Sequence, residues 1–168
     1  MTENNKYHIV IGNIFDYLLD KDLIVNSANE NMQFGSGICG QIYKRAGVKT
    51  LEDYCRKTFV KRLETNEVRI TPGFNLGLDI LHIYCPKQYV SKDPNGDLLQ
   101  SYTNIFECIK NTKYKTVISI SLGTGIHGYK HDMIGKLVSN HIKYLTDKFD
   151  IDFTLVLPSD EIKEMYLL

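Results

Sequence analysis

The sequence predicts an α/β fold in which a mixed, mostly parallel sheet is covered by helices on both faces. Three observations predict it. Short β-branched runs alternate with stretches of helical period along the whole chain. Several of those runs are apolar at successive positions, as strands buried on both faces require. No repeat, low-complexity tract or linker interrupts the alternation. A 168-residue chain that is 43% hydrophobic can bury one sizeable core, so residues 1–168 are expected to form a single domain.

The elements follow in order. His8 to Gly12 and Leu23 to Asn26 read as buried strands stopped by Gly and Asn. Gln41 to Ala46 is helix-like. Thr50-Leu51-Glu52-Asp53 reads as a capping box opening a helix whose apolar positions recur through Phe59 and Leu63. Glu67 to Thr71 and Ile80 to Tyr84 are strands joined by the turn-like Pro72-Gly73-Phe74-Asn75, which makes this pair antiparallel and the sheet mixed. Polar loop chemistry at Lys92 to Asp97 leads into a helix from Asp97 to Asn111. Thr116 to Ile120 is a strand, His131 to Phe149 a helix, and Asp152 to Leu157 a strand. Ser159 caps a last short helix carrying Ile162 and Met165.

Composition excludes several classes of function. Twenty basic and twenty acidic residues cancel to zero, which gives no support to general nucleic-acid binding and leaves room only for a local basic patch. No apolar run approaches the ~20 residues of a membrane span, and the polar start Met1 to Lys6 has no hydrophobic signal region. A soluble, cytoplasmic, reduced protein is expected. The four cysteines form no C-x-x-C pair and the five histidines no H-E-x-x-H, so neither a metal site nor a cofactor is expected. Cys55, Cys85 and Cys108 read as buried thiols.

Two glycine-rich loops stand where chemistry is expected. Open α/β sheets bind ligands beyond the carboxyl ends of their strands, where backbone N–H groups and helix N-termini attract anions. Gly35-Ser36-Gly37-Ile38-Cys39-Gly40 follows the second strand, and Gly123-Thr124-Gly125-Ile126-His127-Gly128 follows the strand ending near Ser119. Together they suggest two walls around a pyrophosphate. The first loop also fits G-x-G-x-x-G, but Ser27 to Phe34 separate it from its strand. Glu52 and Asp53 sit at a helix start rather than at a strand end. An NAD-dependent oxidoreductase is therefore a distant alternative.

Ile24-Val25-Asn26-Ser27-Ala28-Asn29, then the first glycine loop, then Ile42 and Ala46-Gly47, closely resemble the signature of macrodomains. Gly12-Asn13-Ile14, the central strand pair and Ser121 to Tyr129 are similar to further family segments in the same order. The resemblance spans about residue 8 to residue 166. It implies a three-layer α/β/α sandwich that binds ADP-ribose at the top of the sheet, and an activity that removes ADP-ribose from modified proteins. The expected partners are ADP-ribose or an ADP-ribosylated protein, and the expected state is a monomer.

By position, the resemblance places the amides of Gly35, Ser36, Gly37 and Ile38 around the pyrophosphate, with Gly123, Thr124, Gly125, Ile126 and His127 opposite. Asn29 matches the asparagine that contacts the distal ribose. For Asn26, a strand-end turn and a ligand contact both fit. Asn13, beside Ile14, stands where the family usually has an adenine-binding aspartate. Leu157 and Pro158 stand where many members have an aromatic ring. Cys39 replaces a catalytic aspartate of one hydrolase subgroup; a neutral, structural thiol is the expectation, an active one the alternative. Tyr129 reads as a ligand wall or a hydrophobic anchor, and His82 as a hydrogen-bonded core residue. His127 reads as a cover over the sugar or a proton-transfer group. The candidate catalytic residues are Asn29, Cys39 and His127. The first expectation is hydrolysis of ADP-ribosyl esters, on acidic side chains or in a related ADP-ribose metabolite, and the second a non-catalytic ADP-ribose reader.

Overall fold

A computed structural model describes residues 5–168. The polar stretch Met1 to Asn4 therefore lies outside the described residues. Six strands, β1 (Tyr7–Ile11), β2 (Leu23–Ser27), β3 (Val68–Thr71), β4 (Asp79–Ile83), β5 (Thr116–Ile120) and β6 (Asp152–Leu157), form one sheet in the order β1-β6-β5-β2-β4-β3. Every neighbouring pair is parallel except β3 with β4. The mixed, mostly parallel sheet is as expected, and the antiparallel pair falls where the Pro72–Asn75 turn predicts it.

Because side chains alternate across a strand, each central strand feeds two cores. Leu23, Val25, Leu81, Val117, Phe153 and Leu155 pack against α3 (Pro94–Ile109) and α4 (His131–Phe149). Ile24, Ile80, Ile118 and Val156 pack on the opposite face, against α1 (Gly37–Ala46) and α2 (Val48–Thr58). The short α5 (Asp160–Tyr166) closes the first layer, and Tyr166 is fully buried there. Ser159 caps α5 by accepting the Ile162 N–H. Among the described residues, no helix is long and apolar enough to cross a membrane.

Several readings need correction, among them α3, which begins at Pro94 inside the stretch read as a loop and ends at Ile109. The helix α1 starts at Gly37, four residues earlier than Gln41, because its first turn is built from the glycine loop. The helix α2 starts at Val48 and ends at Thr58, so Thr50 lies inside it and Phe59 and Leu63 lie beyond it. Gly47, not Thr50, is the residue at which the chain turns. Cys108 is exposed rather than buried, because α3 turns positions 105, 106 and 109 to the core and 108 to solvent. A 3₁₀ turn at Ile14–Tyr17, not anticipated, has Asn13 as its cap, with Oδ1 accepting the Phe15 N–H.

Candidate functional site

A cleft of about 620 Å³ opens along the carboxyl ends of β2, β4 and β5. That size suits a nucleotide-sized ligand. One wall is the segment Ala28 to Ser36 with the first turn of α1. The other is the loop Ser121 to His127.

The α1 wall is held by side chains that bond to backbone. The Asn29 carboxamide accepts the Gln33 N–H at 3.1 Å and donates to the Gln33 carbonyl at 2.7 Å, closing the loop as a strand neighbour would. One amide hydrogen and one lone pair of Asn29 stay available for a ligand. Glu52 Oε2 accepts the Phe34 N–H at 2.8 Å. Gly40 packs so tightly that a Cβ there would meet the Gly35 carbonyl oxygen at 2.3 Å. Gly37 adopts φ +58°, a left-handed conformation, with open space where a side chain would project.

The start of α1 has the electrostatics of an anion site. Ser36 makes no side-chain cap bond and the first turn carries no acidic residue. The leading N–H groups of the helix therefore keep their partial positive charge at the cleft wall. Lys87, also on the cleft, adds a full charge, and a hydrogen bond with Tyr84 pushes its pKa up. Among the described residues, Glu30 is the one carboxylate lining the cleft.

The opposite loop is rooted from below. The Leu122 N–H donates to the Tyr102 hydroxyl at 2.9 Å, Thr124 Oγ1 donates to the Ser121 carbonyl, and the Ser121 hydroxyl pairs with the Tyr166 hydroxyl. His127 is nearly buried, and its Nδ1 lies 3.2 Å from the Pro86 carbonyl, so Nδ1 carries the hydrogen. In the neutral ring, that leaves Nε2 as an acceptor. The tip is different: Ile126 is 80% exposed and Gly125 has nothing near its missing side chain.

Beneath the α1 wall runs a buried polar chain. Asn26 and His82 face each other across β2 and β4, on the α1 side of the sheet. Asn26 Nδ2 donates to His82 Nδ1 at 3.1 Å and to Cys39 Sγ at 3.6 Å. His82 Nε2 therefore donates to Thr71 Oγ1, 2.9 Å away, which passes a bond to the Pro72 carbonyl. Burial drives the His82 pKa down to about 3, so the ring is neutral. Burial also pushes the Cys39 thiol up, against hydrogen bonding from Asn26, and Sγ donates to the Gln33 carbonyl at 3.5 Å. A neutral thiol is what this environment favours.

The cleft thus brings together Asn29, Gly35, Ser36, Gly37, Ile38, Cys39, Gly123, Thr124, Gly125, Ile126 and His127. Asn13, Ile14, Leu157 and Pro158 do not line it; they gather beyond its β5 end, where the Gly12 N–H donates to the Leu157 carbonyl. Asn26 lies beneath the cleft, fully buried. Tyr129 is buried, with its hydroxyl donating to the Pro94 carbonyl. Lys44 and Arg45 are exposed on α1, lying over the Phe34 and Phe15 rings. Sequence reasoning missed Tyr84, Lys87 and Glu30. The first two follow the carboxyl end of β4, which lies beside β2 and so opens onto the same cleft.

A macro domain family model matches residues 25–137. The chain belongs to the macro domain family. An uncharacterized protein of Fusobacterium nucleatum is 31% identical over 141 residues, covering 81% of this chain and 77% of that one. The ADP-ribose glycohydrolase MACROD2 of Homo sapiens is 28% identical over 129 residues, 75% of this chain but only 30% of that protein. A variant of the Oceanobacillus iheyensis macrodomain with ADPR superposes with a TM-score of 0.83 at 28% identity, covering 94% of this chain and 88% of that chain.

Proposed function

We propose that this macro domain, acting as one domain over its whole length, binds ADP-ribose in the cleft and hydrolyses ADP-ribosyl esters of acidic side chains. The observation that carries the reading is the uncapped start of α1 facing a second backbone loop across one cleft. A pyrophosphate is the ligand whose charge and width suit two such walls. The same ligand is named for the Oceanobacillus relative, and the hydrolase activity for the human one.

The chemistry follows from what the walls offer. The amides of Gly37 and Ile38 and the charge of Lys87 neutralise the phosphates. Asn29, fixed by Gln33, holds the distal ribose with its remaining donor and acceptor. A water held between phosphate and backbone attacks the anomeric carbon of that ribose. The bond to the ester oxygen breaks, its electron pair leaves with the carboxylate, and the water's proton passes to a phosphate oxygen. A carboxylate leaves without a strong acid, so positioning and electrostatic preorganisation carry the step. His127 closes the water's approach with Nε2. Cys39, neutral and bonded on both sides, supports the wall and takes no part in bond making.

One observation favours a reader instead: Cys39 supplies no ionised base where an acid would serve as one. Titration with ADP-ribose, NAD and ATP, followed by incubation with a glutamate-linked ADP-ribosylated protein, separates the readings. The hydrolase reading predicts preferential binding of ADP-ribose and release of free ADP-ribose that persists in Cys39→Ala and falls in Asn29→Ala. Binding without release points to the reader. Preference for NAD points to the oxidoreductase.

A further inference from the structure

On the far side of the Glu30–Gln33 segment lies a second cavity, of about 220 Å³, and Asn31 lines both it and the cleft. Among the described residues, its walls carry four cations, Arg56, Lys61, Arg62 and Arg69, against a single carboxylate, Glu52. Arg56, Arg62 and Arg69 each have a carboxylate nearby outside the lining, Asp53, Glu30 and Glu67, so what matters is which cations keep free donors.

The four cations are not equivalent. Arg69 is structural: it donates to Glu67, to the Lys61 and Arg62 carbonyls, and stacks over Phe59. Arg56 is paired with Asp53. Glu52 is committed to the Phe34 N–H. That leaves Lys61 and Arg62, both exposed. Lys61 enters none of the ion pairs among the described residues. Arg62 approaches Glu30 only to 3.9 Å, outside hydrogen-bond reach. Their loop is nonetheless fixed against the cleft, since the Leu63 N–H donates to the Glu30 carbonyl at 2.8 Å.

We infer that Lys61 and Arg62 read acidic side chains flanking the modified residue, so that the preferred ligand is an ADP-ribosylated acidic peptide. The inference rests on the reading of the cleft as an ADP-ribose site. Asn29 then holds the distal ribose, and whatever that sugar is attached to emerges beside Glu30 and Asn31. A peptide residue spans ~3.5 Å, so the next side chains along it come within reach of Arg62. A guanidinium fork and an ammonium suit carboxylates. A polynucleotide fits less well, because it needs a track of positive charge along its backbone and this charge is confined to one small cavity.

The test is competition binding with hydrolysis-resistant conjugates. The probes are ADP-ribose on a peptide with glutamate neighbours, on the same peptide with glutamine neighbours, on the terminal phosphate of a short single-stranded oligonucleotide, and free ADP-ribose. At low salt the acidic peptide should bind about fivefold tighter than the neutral one, the scale expected of two exposed ion pairs. In the double variant K61A/R62A that difference should vanish, while free ADP-ribose affinity and the melting temperature stay unchanged. Equal binding of the two peptides by the unaltered protein overturns the inference. So does a preference that survives the double variant, or an oligonucleotide conjugate that outbinds the acidic peptide. Failure of free ADP-ribose to bind removes the cleft reading itself, a distinct result.

Discussion

The two walls of the cleft do similar work with opposite construction. The α1 wall is stiff throughout: Asn29 ties both polar atoms of Gln33, Glu52 ties Phe34, and Gly40 touches Gly35. The Ser121–His127 wall is rooted at its base by Tyr102, Tyr166 and Pro86, while at its tip Ile126 is exposed and a side chain at Gly125 would meet open space. A fixed anion cradle opposite a freely ending tip separates two tasks. On the proposed reading, the cradle would position charge and the tip would cover the bound ligand.

The sharpest way to break this comparison is Gly37→Glu. The positive φ strains any side chain there, and the new carboxylate would occupy the anion position at the α1 start. ADP-ribose affinity should fall by about 100-fold or more with the fold retained, read by calorimetry and circular dichroism. Unchanged binding in a folded variant would contradict the account.

The support beneath the cradle should be acid-sensitive. Unfolded, His82 takes a proton near pH 6.5; folded, it resists down to about pH 3. Between those values the unfolded chain binds more protons, so the stabilisation is complete above pH 6.5 and is lost as pH falls. Each pH unit below 6.5 removes up to about 1.4 kcal/mol through this one ring. His82→Gln should lower stability at neutral pH but flatten the urea midpoint across that window. His131 and His141, also shifted down by burial, would keep a residual slope.

Asn29→Ala removes both bonds to Gln33. Their net worth of about 0.5–1.5 kcal/mol each predicts a Tm lower by about 2–12 °C and ADP-ribose affinity about tenfold weaker. The smallest effect should come from the opposite tip. Gly125→Ala adds a methyl to open space at an ordinary φ, so affinity should stay within about twofold. A loss as large as that of Asn29→Ala would erase the contrast between the walls.

What was legible in the chain followed from burial. The strands Thr116–Ile120 and Asp152–Leu157 and the helix His131–Phe149 have the bounds their patterns predict, because each is shaped by a core face. The start of α1 was hidden, because its N-cap Ser36 lies within the glycine loop and makes no side-chain cap bond, which leaves the leading N–H groups open to an anion. The glycine loops were readable as facing one another beyond the strand ends, although Gly37 and Gly123 also answer to a positive φ and Gly40 to close packing on Gly35. The double duty of Asn29, the buried Asn26–His82–Thr71 chain and the place of Lys87 were not. They depend on which strands lie side by side, and β4 beside β2 is a pairing that no local pattern encodes.

The most direct measurement is a crystal structure of the chain with ADP-ribose. The account predicts the pyrophosphate on the Gly37 and Ile38 amides, the Gly123–His127 loop across it, and the distal ribose on Asn29. A nucleotide bound with its phosphates away from the start of α1 would contradict it.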